Sequence, residues 1–280
     1  ARFSKEEGGD IAYPGGKIAS SGHERLVFGL GGSLRFGDSE IGLDLRRQET
    51  GETGNPPFPM DIQYFDTDTA RLTASTRLAG WTLNAQASLA EVAHLMNNYS
   101  LRPSPAAMQQ RASYADATTR SGKVEAERDG FGGQLRLGID TARSEHKVRI
   151  TNPNNAAFFL VSIPDAEMTR TGGYAEWSGP ALSGTVELGM RVDRHDAQAG
   201  LASVGTAVPM GPRNLANAFN GRDRTWKDTT VDGVFRLVVP VTGWDGFNWR
   251  FAAARKSRVP GYLERFGWLP TNASGGLADG

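Results

Sequence analysis

The sequence predicts an all-β protein, an antiparallel up-and-down transmembrane β-barrel, on three observations. Segment after segment alternates apolar and polar residues at a period of two, the pattern of a strand with one apolar and one polar face. Connections alternate strictly between short turns, near 38, 80, 130, 180 and 243, and long loops, near 52, 105, 155 and 210. The polar face carries charges in mid-strand (Arg35, Asp44, Arg136, Glu187, Arg191, Asp232, Arg236, Arg250), while the opposite face is almost purely apolar.

The longest alternating stretch is Thr82 to Met96, with Leu83, Ala85, Ala87, Leu89, Ala93 and Leu95 on one face and Thr82, Asn84, Gln86, Ser88, His94 and Met96 on the other. It exceeds an ordinary globular strand, and Glu91 is the one charge on its apolar side. Before it, Glu24 to Gly37 and Glu40 to Arg47 form a hairpin around Gly37-Asp38-Ser39, a turn of the right chemistry. Residues 48 to 59 read as a polar, Pro-containing loop. Thr69 to Leu78 then pairs with the long stretch across Ala79-Gly80-Trp81. Met60 to Asp68 extends its first strand, and there Asp66 and Asp68 fall on the apolar face, so that part lies beyond the lipid or is bulged.

After a loop from Asn97, a weaker strand runs to Glu127, turns at Arg128-Asp129-Gly130 and returns as Gln134 to Ala142. Beyond a loop near 145 to 166, Gly173 to Ser178 turns at Gly179-Pro180 into Gly184 to Val192. The longest loop, roughly 195 to 227, precedes a last hairpin, Val231 to Val239 and Phe247 to Lys256, around Thr242 to Gly246. The inventory comes to about ten strands, and ten is within the range of membrane barrels.

Composition bounds the partners. The 280 residues carry 31 basic and 31 acidic side chains, a net charge of +0, so nothing calls for nucleic acid. The absence of cysteine rules out disulfides, thiol nucleophiles and Cys-ligated zinc. No run of eighteen apolar residues exists, which excludes a transmembrane helix but not a barrel, whose alternating strands stay near-neutral; mean hydropathy is −0.42. Alternation alone does not say which face is inside, since a soluble barrel buries its apolar face. Strand length tips the choice, because most runs supply the ~9–11 residues a membrane strand needs. Trp81, Trp177, Trp244, Phe247 and Trp249 also sit near the short turns, where an aromatic girdle lies.

Four phrases carry a family resemblance: AEVAHLMNNYSLRP (Ala90 to Pro103), GGYAEW (Gly172 to Trp177), PRNLANAFNGRDRTW (Pro212 to Trp226) and RKSRVPGYLERFGWLPTNASGGLADG (Arg255 to Gly280). With them the chain resembles the barrel domain of TonB-dependent outer-membrane receptors, and the last phrase looks most like the copper-receptor branch. The resemblance implies a barrel of roughly 22 strands, an N-terminal plug domain and a TonB-box peptide. Residues 1–280 are then expected to be an internal part of the barrel domain, with the plug and the remaining strands elsewhere in the protein. It implies a bacterial outer-membrane location, contact with membrane lipid, ligand capture powered by the TonB-ExbB-ExbD complex through the N-terminal part, and no covalent chemistry. The expected cargo is copper or a small copper complex, a transported ligand rather than a resident cofactor. An iron-siderophore receptor is the alternative within the class, and a soluble β-sheet binding module the alternative outside it.

Two residues are singled out as metal ligands, His94 and Met96. Imidazole and thioether suit copper, especially Cu(I), and residues two apart on a strand share a face; the resemblance assigns the His-x-Met pair to the metal site. The plain alternative is a His and a Met at a loop base. Met108 and Met210 are further soft donors, read as loop packing, and His23, His146 and His195 are read as solvated loop residues. Asp66-x-Asp68 lacks the Gly and distal Glu of a calcium loop. Mid-strand charges read as an ion-paired wall facing water and the plug. Asn98-Tyr99-Ser100 is a sequon without meaning in a bacterial outer membrane. No catalytic Ser/His/acid set, phosphate loop or nucleophile elbow can be assembled, so no enzyme is expected.

Overall fold

Period-two alternation and turn chemistry build one large sheet. The computed structural model describes residues 1–270 except 182 and 245. The last ten residues of the phrase Arg255 to Gly280 therefore lie outside the described residues. In chain order the strands are β1 (Arg2–Gly8), β2 (Ala12–Tyr13), β3 (Gly16–Lys17), β4 (His23–Phe36), β5 (Ser39–Thr50), β6 (Asp61–Leu78), β7 (Trp81–Asn97), β8 (Ala112–Gly130), β9 (Gly133–Asn152), β10 (Asn155–Ala181), β11 (Gly184–Gln198), β12 (Thr225–Pro240) and β13 (Asn248–Arg255). Two helices complete the chain, α1 (Met210–Asn220) and α2 (Tyr262–Phe266).

β2 and β3 form a small separate hairpin, and the other strands make an 11-stranded antiparallel sheet ordered β1-β4-β5-β6-β7-β8-β9-β10-β11-β12-β13. Sequence neighbours are sheet neighbours throughout, an up-and-down meander whose edge strands are β1 and β13. The eleventh strand is β1, whose charged RFSKEEG run hides its alternation, and it pairs along its whole length with β4.

Short turns follow the hairpin rules. Gly37 (φ 57) takes the first central position between paired Phe36 and Ser39, as a type II′ turn requires. Ala79-Gly80 and Phe131-Gly132 have positive φ at both positions, the I′ pattern. Ala79 and Phe131 adopt it at ~1–2 kcal/mol each, as L residues. Two turns shift from their expected places: pairing continues through Gly130↔Gly133 and Ala181↔Gly184, beyond Arg128-Asp129-Gly130 and Gly179-Pro180.

The apolar face is bare. Leu34 is 75% and Ile139 65% exposed, and Phe28, Leu30, Ile41, Leu43, Leu72, Leu137, Leu188 and Phe251 are exposed with them. Register aligns these residues in rows: Ile41, Ala74, Ala85, Val124 and Ile139 lie side by side across β5 to β9. In a membrane barrel this face meets lipid, which removes it from water without a protein core. One step above Leu45, Ala70 and Leu89, the same face turns charged: Arg47, Asp68, Glu91, Thr118, Glu145 and Glu167 form the next row. Arg47 bridges Asp68 at 2.9 Å and Arg143 bridges Glu145 at 3.0 Å and Glu167 at 2.7 Å. Pairing is continuous through Asp66 and Asp68, so β6 is not bulged at these two residues; its bulge lies further up, between Ile62 and Tyr64.

The polar face is the expected ion-paired wall. Arg136 reaches Glu127 at 3.1 Å and Glu176 at 3.3 Å, Asp140 holds Arg170 at 2.6 Å and Arg191 at 2.8 Å, and Arg236 pairs with Glu187 at 2.9 Å.

Beyond the charged row the strands continue, and much of what reads as the loop 145 to 166 is strand. β9 runs to Asn152 and β10 starts at Asn155, with register shifts between Asn155 and Phe159, Val161 and Ile163, and Ile163 and Ala166. The longest expected loop, 195 to 227, contains α1. Here lies the buried core: Leu160, Ile163, Ala166, Ala197, Val208, Ala216 and Phe219, capped by Phe266 and Trp268 from the chain after β13. Asn220 ties α1 to this core by exchanging hydrogen bonds with the Ala202 backbone (2.8 and 2.9 Å), and the Trp268 indole donates to the Val161 carbonyl at 3.0 Å.

Candidate functional site

β7 carries His94 and Met96 to its upper end on the polar face. They stand in rows with neighbours on both sides: Phe65, His94, Ala115 and Val148 in one, Ile62, Met96, Ser113 and Ile150 in the next. The Phe65 ring packs against the imidazole, centroids 4.8 Å apart and tilted 58°. His94 Nε2 is buried and has no hydrogen-bond partner. Burial holds the imidazole below its ordinary titration range, so it is neutral at pH 7 and one ring nitrogen offers a lone pair. An aromatic neighbour, a neutral imidazole and a thioether on one face are what a soft cation accepts.

A frame of polar contacts fixes the chain just above the pair. Asn97 Oδ1 accepts the backbone N–H groups of Tyr99 and Ser100 (3.0 and 2.9 Å), turning the chain sharply out of β7. Asp61, opposite Asn97, is 2% exposed and accepts Arg102 Nε and Nη2 at 2.7 and 2.5 Å and the Asn55 N–H at 2.8 Å. Arg102 Nη1 also donates to the Phe58 carbonyl at 2.9 Å, so the loops after β5 and β7 close on one ion pair. Arg111 stacks over the Phe158 ring at 3.9 Å and its backbone N–H donates to Asn98 Oδ1.

The other candidates fall elsewhere. Met108 and Met210 are 64% and 66% exposed, away from the pair. His23 is partly exposed with Nε2 3.7 Å from Glu6. Two histidines correct their expected solvated state. His146 is half-buried, its ring stacked on Tyr262 at 3.9 Å and 11°, because α2 folds back onto β9 and β10. His195 is half-buried beside Thr230, 3.3 Å from Nε2 to Oγ1. Among the described residues no three His, Cys, Asp or Glu side chains cluster closely enough to hold a metal. The residue that sequence reasoning passed over is Gln63, the extra residue of a bulge in β6 between the pairs Ile62↔Met96 and Tyr64↔Leu95. Its signal in the sequence is faint, a single polar residue between Ile62 and Tyr64.

No protein-family model matches the chain, and no curated protein matches it. Among solved structures, one titled "Copper transporter OprC" is similar with a TM-score of 0.70 and 19% identity, covering 86% of this chain and 38% of that one. The alcaligin outer-membrane receptor FauA from Bordetella pertussis is similar with a TM-score of 0.53 and 13% identity, covering 79% of this chain and 34% of that one. The chain spans well under half the length of either, and both titles name a transporter or receptor, not an enzyme. At these identities the likeness shows the fold alone: the 11-stranded up-and-down antiparallel sheet is that of part of the β-barrel of these two proteins.

Proposed function

We propose that the chain is part of the barrel domain of an outer-membrane TonB-dependent receptor that takes up copper or a small copper complex. In this reading the plug domain and the remaining strands belong to the complete protein, and the TonB-ExbB-ExbD complex acts through its N-terminal part. The observation that carries the copper assignment is the buried, unpartnered Nε2 of a neutral His94 beside Met96 on the lumenal face. Leaving such a nitrogen unpaired costs ~1–3 kcal/mol, which a metal bond offsets. Likeness to a structure titled as a copper transporter supports the same cargo.

Within the site, His94 supplies an imidazole nitrogen and Met96 a thioether sulfur, and Phe65 shields one side of the ring from water. The pair sits above the charged row of the lipid face, on the side where a ligand arrives from outside. Two ligands leave coordination positions for groups of the incoming complex or of the plug.

The test uses the full-length receptor in detergent. His94→Ala and Met96→Ala are each expected to weaken copper binding by ~10–100-fold in calorimetry. Unchanged stoichiometry and affinity in both variants would remove the site assignment. Saturable binding of a ferric chelate, with copper ignored, would move the receptor to the siderophore class.

A further inference from the structure

We propose that Gln63 is a third side chain of the cargo site, supplying an amide oxygen that lets the His94 and Met96 pair hold Cu(II) as well as Cu(I). The inference rests on the copper reading above and names the oxidation state that site accepts.

Register places Gln63. β6 and β7 pair continuously from Leu78↔Trp81 up to Tyr64↔Leu95, and the next pair is Ile62↔Met96. One residue of β7 therefore faces two of β6, a bulge in which Ile62 and Gln63 together oppose Met96. Phe65 shares the face of His94, since their rings touch, so Gln63, two residues before it, shares that face too. Without the bulge, Ile62 would alternate away from Gln63; with it, both stand over Met96.

Chemistry supplies the second argument. The Gln63 amide nitrogen is buried with no hydrogen-bond partner, and so is Nε2 of His94, which pairs with Phe65 just below the bulge. A half-turn of the amide exchanges its nitrogen and oxygen, so the same buried position can present the Oε1 lone pairs. An unpaired buried amide costs ~1–3 kcal/mol, and leucine would fill the space without that cost. A polar side chain kept there, re-aimed by a bulge and set beside two soft donors, is accounted for by a ligand. Thioether and imidazole alone favour Cu(I), whereas an added oxygen donor extends the set to Cu(II).

The experiment titrates the full-length receptor with Cu(II) chloride in air and with Cu(I) kept reduced by ascorbate under argon. Gln63→Leu, Gln63→Glu and His94→Ala are compared with the parent. Gln63→Leu is expected to weaken Cu(II) binding by ~10-fold or more while Cu(I) affinity stays within ~3-fold. It should also shift the electron paramagnetic resonance spectrum of bound Cu(II), and Gln63→Glu, which keeps an oxygen donor, should restore Cu(II) binding. If His94→Ala weakens binding while Gln63→Leu changes neither Cu(II) affinity nor spectrum, Gln63 is no ligand and the His-Met site stands. Equal loss of both ions in Gln63→Leu without rescue by Gln63→Glu makes Gln63 structural and overturns the proposal. An unaffected His94→Ala displaces the whole site, and Gln63 with it.

Discussion

Asp61 is a carboxylate taken almost wholly out of water, and its partners explain how it stays charged. The Arg102 guanidinium, and after it the Asn55 N–H, hold its pKa below the ordinary value of 3.8 against the opposing effect of burial. A depressed carboxylate contributes stability that is complete above that value and is lost as pH falls below it through the folded value. The two loops above Met96 should therefore stay closed at pH 5 and loosen only below about pH 3.8. Hydrogen exchange of the Asn55 amide, followed between pH 5 and pH 2.5, reads this. Asp61→Asn should mimic the acid state at neutral pH, costing about 1.5–3 kcal/mol of local stability. Exchange in residues 51 to 60 should rise while the spanning strands keep their protection; an unchanged rate would leave the ion pair with no role in loop closure.

Also at residue scale, what the sequence shows depends on whether spacing survives folding. His94 and Met96 share a face because nothing interrupts β7 between them, so their pairing is legible from position alone. Gln63 is not, because the bulge that turns it toward Met96 leaves no mark in hydropathy. His146 is misread for another reason: Tyr262, the ring that covers it, arrives from more than a hundred residues away.

At the scale of elements, β9 shows what alternation specifies. Ile139 is 65% exposed on the apolar face, in a row with Val124 and Ala85, the face that the proposed receptor turns to lipid. Ile139→Arg in the full-length receptor should cost ~2–4 kcal/mol, the penalty of a cation near mid-membrane. Gln86→Arg, on the lumenal side of the sheet, should cost under about 1 kcal/mol. Urea titration of vesicle-inserted protein measures both, and equal costs would mean that the two faces are assigned wrongly. The lower parts of β4 to β7 and β9 were readable because their residues alternate strictly there. The upper half of β10 was not, since its three register shifts break the period and FFLVSIP then looks like an apolar loop. β1 escaped for the opposite reason, too many charges and too few apolar residues.

Across the whole molecule, tight turns at one end and long connections at the other, apart from the two-residue link between β9 and β10, give the sheet two unlike ends. Trp81, Trp177, Trp244 and Trp249 cluster toward the tight-turn end. Lipids brominated near the headgroup should quench tryptophan emission more than lipids brominated at the chain terminus, as expected for a girdle at the interface. The reverse order would place the girdle at mid-membrane and the turns inside the lipid. Helix α1 and the segment ending in Trp268 form a second kind of core, packed protein against protein, above a span whose apolar face needs none.

The single step from Leu45, Ala70 and Leu89 to Arg47, Asp68 and Glu91 has a mechanical consequence. Two residues advance a strand by only ~6.6 Å, so the outer surface passes from oil-loving to ionic over less than the depth of a lipid headgroup. Such an abrupt boundary works as a depth gauge: sinking the wall by one more pair would drag a carboxylate row into hydrocarbon, and raising it would bare leucines to water. On the membrane reading proposed above, this sets the height of β5 to β7 to within about one such step, while on β8 and β9 charge begins a row lower, at Arg120 and Arg143 in line with Leu89. His94 and Met96, five and seven residues beyond Leu89 on the same strand, lie just past that boundary, so on the same reading their height above the bilayer is set with it.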